Sequence, residues 1–74
     1  MSSFIYTLQY TTRYEEVSST LTYFGEAAPG AAESDPVWRM KRMTTTGGLT
    51  KVEFADGNVN FDNVWDDRAS LTYL

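Results

Sequence analysis

Residues 37–61 read VWRMKRMTTTGGLTKVEFADGNVNF, and this stretch decides the fold class. Apolar and polar side chains alternate through most of it, and Thr and Val are frequent, which is typical of half-buried strands. Two dipeptides, Gly47-Gly48 and Asp56-Gly57, interrupt the alternation and favour tight hairpin turns. The stretch therefore predicts three successive strands over residues 37–46, 49–55 and 58–61.

The side-chain pattern also predicts how two of these strands pack. Val52 and Phe54 alternate with charged residues, so we expect both to face the interior. Trp38 and Met40 share a face of the preceding strand, but the alternation shifts so that Arg42 falls on that apolar face. A shift of one residue predicts a β-bulge or a change of packing partner at this point.

The alternation extends toward the N-terminus. Residues 4–13 and 17–24 place Tyr, Leu or Val at alternate positions among Thr and Ser, which predicts two more strands. Residues 13–16 are the expected connection between them, so the two strands form a predicted hairpin. No Asn-Gly or Asp-Gly pair marks the turn.

Residues 25–36 differ from the strands on either side, since they contain both prolines of the chain and no large apolar side chain. The Pro29-Gly30 pair favours a turn. A loop of this length is often functional or mobile. Two interpretations remain open: a crossover between the halves of a sandwich, or a loop that extends to grip a neighbouring subunit.

The C-terminal residues carry mixed periodicity. Phe61, Trp65 and Arg68 follow a helical spacing, which predicts one short helical turn near residues 62–68. Residues 70–74 then predict a final strand. Together these elements indicate a single β domain over residues 1–74: an all-β, small antiparallel sandwich or partly open barrel of five to six strands.

The composition argues against an enzyme. The 74 residues include neither Cys nor His, which excludes disulfides, thiolate nucleophiles and the commonest metal ligand and general base. The acidic residues of the C-terminal half do not match the spacing of a calcium loop, and we interpret them as solvated turn carboxylates. They are Glu53, Asp56, Asp62, Asp66 and Asp67. We expect no catalytic residues, no metal and no cofactor.

Charge and hydropathy restrict the partners. The net charge of -4 gives no basic face for nucleic acid. No apolar run approaches the ~20 residues of a spanning helix, so we expect no membrane partner. A domain of this size has a thin core, and aromatic residues make up 15% of the chain. Because aromatic rings are enriched at interfaces, the sequence predicts a homo-oligomer or a docked subunit.

Several residues are candidates for such contacts. We expect a basic patch of Arg39, Lys41, Arg42 and Lys51 to pair with acids of a neighbouring chain or of the tail. We also expect Arg68 to pair with Asp62 or Asp67. Each Trp is either a core ring or an interface anchor. The candidate interface residues are Pro29, Gly30, Trp38, Arg39, Lys41, Arg42, Trp65 and Arg68.

Four segments read together resemble a family of short uncharacterised proteins from tailed bacteriophages and prophages. They are YFGEAAPG at 23–30, VWRMKR at 37–42, ADGN at 55–58 and FDNVWDDRASLTY at 61–73. The resemblance covers residues 23–74 and implies a virion component that is made in the host cytoplasm. It implies other virion proteins as partners but transfers no active site.

Two functions therefore remain open at the level of the sequence. The first is a non-enzymatic virion subunit of the tail, fibre or baseplate, or a capsid decoration protein. The second is a free acidic binding module that inhibits or modulates a host protein.

Overall fold

The computed structural model describes residues 9–74, and within them the chain forms one open antiparallel sheet. The strands β1 to β4 lie side by side in chain order, and β5 pairs with β3. Their bounds are β1 (Thr11–Ser18), β2 (Leu21–Ala27), β3 (Pro36–Thr46), β4 (Leu49–Phe54) and β5 (Asn63–Val64), followed by a 3-10 turn (Trp65–Asp67). The predicted all-β antiparallel fold class is confirmed.

The glycine turns form where the sequence predicts them. Gly47 and Gly48 have φ of 56° and 83° and join β3 to β4. Asp56 and Gly57 have φ of 61° and 69° and reverse the chain after β4. Two successive positive φ values define the type I′ turn, whose twist matches that of the flanking strands. The turn dipeptides therefore fix both ends of β4 to within one residue of the prediction.

The N-terminal hairpin exists, but the predicted turn over residues 13–16 is wrong. Those residues lie inside β1, and the chain reverses at residues 19–20. The Thr20 N–H donates to the Ser18 hydroxyl at 3.2 Å, so a serine side chain stabilises the reversal in place of a glycine. The register shifts between Glu16 and Ser18, so that one residue of β1 has no partner on β2, as in a β-bulge. Residues 1–8, and with them much of the predicted strand over 4–13, lie outside the described part of the chain.

One face of the sheet, which we call the covered face, packs against the C-terminal residues. Trp38 and Met40 of β3 lie at its centre and are 0% and 1% exposed. The remaining buried apolar residues are Tyr23, Ala27, Ala55, Trp65 and Tyr73. The thin core predicted from the chain length is thus a single layer of side chains between the sheet and the segment that follows β5.

The prediction that Val52 and Phe54 face inward is wrong, because both side chains lie on the face of β4 opposite Glu53, and Val52 is 54% exposed. β3 pairs with β4 so that Glu53 lies opposite Arg42, on the covered face. Ala55 continues that face and is 1% exposed. The alternation of β4 is real, but its apolar positions lie on the side of the sheet that the C-terminal segment does not cover.

The shift in the pattern at Arg42 coincides with a change of strand partner. Pairing of β3 with β2 and with β4 runs through this position without irregularity. β3 pairs with β5 at Pro36 and Trp38, and with β4 from Lys41 onward. No bulge therefore occurs at Arg42, which remains on the covered face, and the strand paired with β3 changes from β5 to β4 just before it.

The C-terminal predictions are confirmed in part. The helical turn near residues 62–68 forms as the 3-10 turn Trp65–Asp67. The predicted strand over 58–61 is wrong, because β5 is Asn63–Val64. The predicted last strand is reduced to a bridge between Ala55 and Tyr73. No helix in residues 9–74 is both long and apolar enough to cross a bilayer.

Candidate interaction surfaces

Every arginine of the chain is fixed by two neighbours, a glutamate and an aromatic ring. The ion pairs are Arg13–Glu33 at 2.8 Å, Arg39–Glu26 at 2.6 Å, Arg42–Glu53 at 3.1 Å and Arg68–Glu15 at 2.7 Å. In the same order, the guanidinium groups lie over the rings of Trp38, Phe61, Tyr73 and Trp65. Partly exposed ion pairs of this kind contribute little to the stability of a fold, because solvent screens them. Their main effect is to hold the arginine side chains against the sheet.

The basic residues of β3 do not form one patch. Arg39 and Lys41 lie on one face of the sheet and Arg42 on the other, because successive residues of a strand alternate. Their partners also differ from the prediction: Arg39 and Arg42 pair with Glu26 and Glu53 of the adjacent strands. The expected pairing with acids of the tail is therefore wrong.

Arg68 pairs with Glu15 of β1 and not with the predicted Asp62 or Asp67. The 3-10 turn directs Arg68 back across the Trp65 ring, at 4.7 Å from its centroid, toward the first strand. The hydrogen bond to Arg68 lowers the pKa of Glu15 below 4.5, and the same bond raises the pKa of Arg68. This contact ties the C-terminal segment to β1.

Both tryptophans lie in the core. Trp38 is 0% and Trp65 5% exposed, and their ring centroids are 6.1 Å apart. The Trp38 Nε1–H donates to Ala32 O at 2.9 Å, which satisfies its one polar group. Of the two roles that the sequence left open, the structure gives these residues the core role.

The loop over residues 28–35 joins neighbouring strands of the same sheet and is therefore not a crossover between sheets. It is shorter than predicted because β2 extends to Ala27, which is 0% exposed. The Asp35 carboxylate accepts from the Ala32 N–H, and the Asp66 N–H donates to Glu33 O. These bonds fix the base of the loop, whereas Pro29 and Gly30 at its tip are exposed.

The acids that remain without an ion pair in residues 9–74 include every aspartate, since the pairs above use glutamates only. Within the same residues no group of carboxylates is close enough to hold a metal ion. Asp56 lies in a turn and Asp62 before β5. The negative charge of the protein is thus concentrated in its connections.

The face opposite the covered one, which we call the outer face, carries an aromatic row that the sequence reasoning missed. Tyr14, Phe24, Lys41 and Phe54 are direct neighbours across β1 to β4. Tyr14 and Phe24 pack edge to face at 5.1 Å, and the Lys41 Nζ lies 5.7 Å from the Phe54 ring centroid. Tyr14 is 59% exposed.

A second row of the outer face pairs Met43 with Val52. The alternation of these residues is visible in the sequence. The predicted turn over residues 13–16 contains Tyr14, however, so the sequence provided no reason to pair Tyr14 with Phe24. The alternation within a strand also does not predict which of two apolar sheet faces is buried by another segment of the same chain.

Comparisons with known proteins identify no relative. No protein-family model matches the chain, and neither curated proteins nor solved structures include a similar one. The surface of residues 9–74 also contains no detectable pocket.

Proposed function

We propose that this protein is a non-enzymatic bacteriophage structural protein, a small virion subunit of the tail, fibre or baseplate or a capsid decoration protein. It acts through contacts with other virion proteins and with itself. The resemblance of residues 23–74 to short proteins of tailed phages supports the virion assignment.

The observation that carries the proposal is the outer face. A sheet face that exposes Tyr14 and Val52 by 59% and 54%, beside Phe24 and Phe54, is a feature of proteins that dock. Aromatic side chains are enriched at the centres of interfaces, and they contribute more to binding than most other residues.

The fixed arginines support protein partners over nucleic acid. Binding to a phosphate backbone relies on cationic side chains that are free to displace counterions. Here each guanidinium already contacts a glutamate. The aspartates contribute further repulsion toward a polyanion.

Mass spectrometry of phage particles purified from a host that carries the encoding genome tests the virion assignment. We expect the protein in washed particles at a fixed ratio to a known capsid or tail protein. Its presence in the infected cell but absence from particles would overturn the assignment.

The unpaired aspartates favour a second function, a free acidic module that inhibits or modulates a host protein. Affinity capture from uninfected host extract discriminates between the two functions. A single basic host protein that binds with defined stoichiometry, together with absence from particles, would favour the second. Replacing Asp66 and Asp67 with Asn should then weaken that capture, whereas it should leave incorporation into particles unchanged.

A further inference from the structure

The hydrogen bonds of the sheet determine which residues of β1 direct their backbone N–H and C=O groups outward, away from β2. The Ala55 N–H donates to Met40 O at 3.0 Å, so Met40 directs its backbone groups toward β4. Gly25 lies opposite Met40 and therefore directs its own groups toward Arg13 of β1. The direction alternates along each strand. The outward backbone groups of β1 are those of Thr12, Tyr14 and Glu16.

In the part of the chain that the structure describes, this outer edge of β1 is the longer open edge of the sheet. Within residues 9–74 no other strand pairs with it, and the Thr12 carbonyl is instead bonded to Nη1 of Arg13 at 3.2 Å. The opposite edge is partly closed, since Phe54 and Leu74 exchange backbone hydrogen bonds at 3.2 and 3.0 Å. An open edge with unpaired N–H and C=O groups favours the addition of a strand.

The side chains of β1 complement a second copy of the same strand. In an antiparallel pair centred on Tyr14, Arg13 of each copy lies directly opposite Glu15 of the other. Opposite charges at directly opposed positions stabilise strand pairing. The side chain of Glu15 is 42% exposed and that of Arg13 is 36% exposed, so both are accessible beside their internal partners.

The neighbouring registers lack this complementarity. A two-fold axis at residue 13 places the two Arg13 side chains opposite each other, and an axis at residue 15 does the same for Glu15. Like charges at directly opposed positions destabilise a strand pair. The charge order of β1 therefore selects one self-pairing register, in which Tyr14 meets its counterpart and the aromatic row continues from one copy into the next.

We propose that two copies of the chain pair through the outer edges of β1, antiparallel about a two-fold axis at Tyr14. On the covered face, the ion pairs then extend into two identical alternating series, each running from Glu33 and Arg13 of one copy to Glu15 and Arg68 of the other. On the outer face, Phe24 and Tyr14 of both copies form one continuous row. This inference rests on the proposed function and names the surface and partner by which the subunit assembles.

Charge reversal tests the register. Arg13→Glu places Glu opposite Glu15, and Glu15→Arg places Arg opposite Arg13. The dimer dissociation constant of each variant alone should therefore be at least about tenfold higher than that of the original chain. An equimolar mixture of the two variants restores both opposed pairs in the heterodimer. Sedimentation velocity should therefore show dimer in the mixture at concentrations where each variant alone is monomeric, and native mass spectrometry should identify the heterodimer.

The mixture shows whether a substitution weakens the dimer through the interface or through a contact within one copy, because mixing two variants cannot restore a contact inside a monomer. Both variants also lose an internal ion pair, so circular dichroism must first show that each is folded. A mixture that associates no more strongly than the separate variants would overturn the proposal. A monomeric original chain up to millimolar concentration would do the same.

A backbone variant provides a test that does not depend on charge. Tyr14→Pro removes an outward N–H, and proline is tolerated on the solvent side of an edge strand. Thr50→Pro is the matched control, because Thr50 has the same outward orientation on β4. We expect the first variant to be a folded monomer and the second to remain dimeric; dimerisation of a folded Tyr14→Pro variant would contradict the proposal.

These measurements use the purified protein and separate the two proposals. If the protein dimerises as described but is absent from phage particles, only the virion assignment is overturned. A protein that is present in particles but monomeric in solution, and unaffected by the mixture, overturns the β1 pairing alone.

Discussion

At the scale of single residues, Gly25 permits the closest packing in the core. A Cβ at this position would lie 2.7 Å from Cε3 of Trp65 and 3.0 Å from Sδ of Met40. The indole thus rests directly on the backbone of β2. We expect Gly25→Ala to lower the free energy of unfolding by about 1–3 kcal/mol, measured by urea denaturation, because neither neighbour can move without loss of packing.

Gly30→Ala is a useful comparison for this prediction. A Cβ at Gly30 has no neighbour within 4 Å, but φ is +91°, so this variant measures backbone strain without a packing clash. If Gly25→Ala proves neutral, the indole does not lie where the structure places it.

Tyr73 gives the fold a dependence on alkaline pH. Burial raises the pKa of its phenol to about 12, compared with about 10 in an unfolded chain. The neutral phenol is favoured in the folded state, so this contribution is complete below about pH 10 and decreases as the pH rises toward 12. We expect thermal stability to fall within that window.

Tyr73→Phe should lack this component of the pH dependence. The variant also loses the hydroxyl hydrogen bond to Arg68 O, of 2.9 Å, and should be less stable by about 1 kcal/mol at neutral pH. An unchanged slope between pH 10 and 12 after the substitution would assign the alkaline transition to another group.

Single residues also show where sequence reasoning ends. The position of Arg42 on an apolar face is visible in the pattern, but its partners Glu53 and Tyr73 depend on strand pairing and on the path of the tail. Likewise, Arg68 and Glu15 are far apart in the sequence. Local spacing favoured the nearby Asp62 and Asp67, and only the fold brings the distant acid closer.

At the scale of elements, strand ends marked by glycine turns were predictable and those without them were not. Gly47-Gly48 and Asp56-Gly57 supply backbone conformations that few other residues adopt, so their positions fix the turns. The first hairpin reverses at residues 19–20 through Ser18, a residue common in strands and turns alike. The predicted turn over residues 13–16 therefore lies several residues before the observed one.

The β3–β4 hairpin provides a test at this scale. Gly47 has φ of 56°, which Asn adopts readily and a β-branched residue does not. We expect Gly47→Asn to keep or raise the free energy of unfolding by up to about 1 kcal/mol, because it restricts the unfolded chain. Gly47→Val should lower it by about 1–3 kcal/mol. Equal urea midpoints for the two variants would show that the turn is not type I′.

At the scale of the whole molecule, the fold class followed from the sequence, but the covered side of the sheet did not. Alternation identifies two faces, and both are rich in apolar residues here: Trp38 and Met40 on one, Phe24 and Phe54 on the other. The choice is made by the C-terminal segment, whose Trp65 packs directly on the backbone of Gly25. The candidate interaction surface is the outer face, and it can be identified only once the covered face is known.

Trp65 therefore has an effect on the whole molecule that its place in a short 3-10 turn does not suggest. It is 5% exposed, contacts Trp38 and Gly25, and supports Arg68 beside β1. Truncating a buried Trp to Ala costs about 3–5 kcal/mol. A small domain is stable by roughly 0.05–0.15 kcal/mol per residue, so this loss removes much of the total.

We expect Trp65→Ala to be largely unfolded or to unfold at very low urea, as followed by the fluorescence of Trp38. Phe61→Ala is the matched control, because Phe61 is also an aromatic residue near the 3-10 turn but is 38% exposed. Its truncation should cost less than half as much, since much of the ring already contacts water. Equal stability of the two variants would contradict the place of Trp65 in the core.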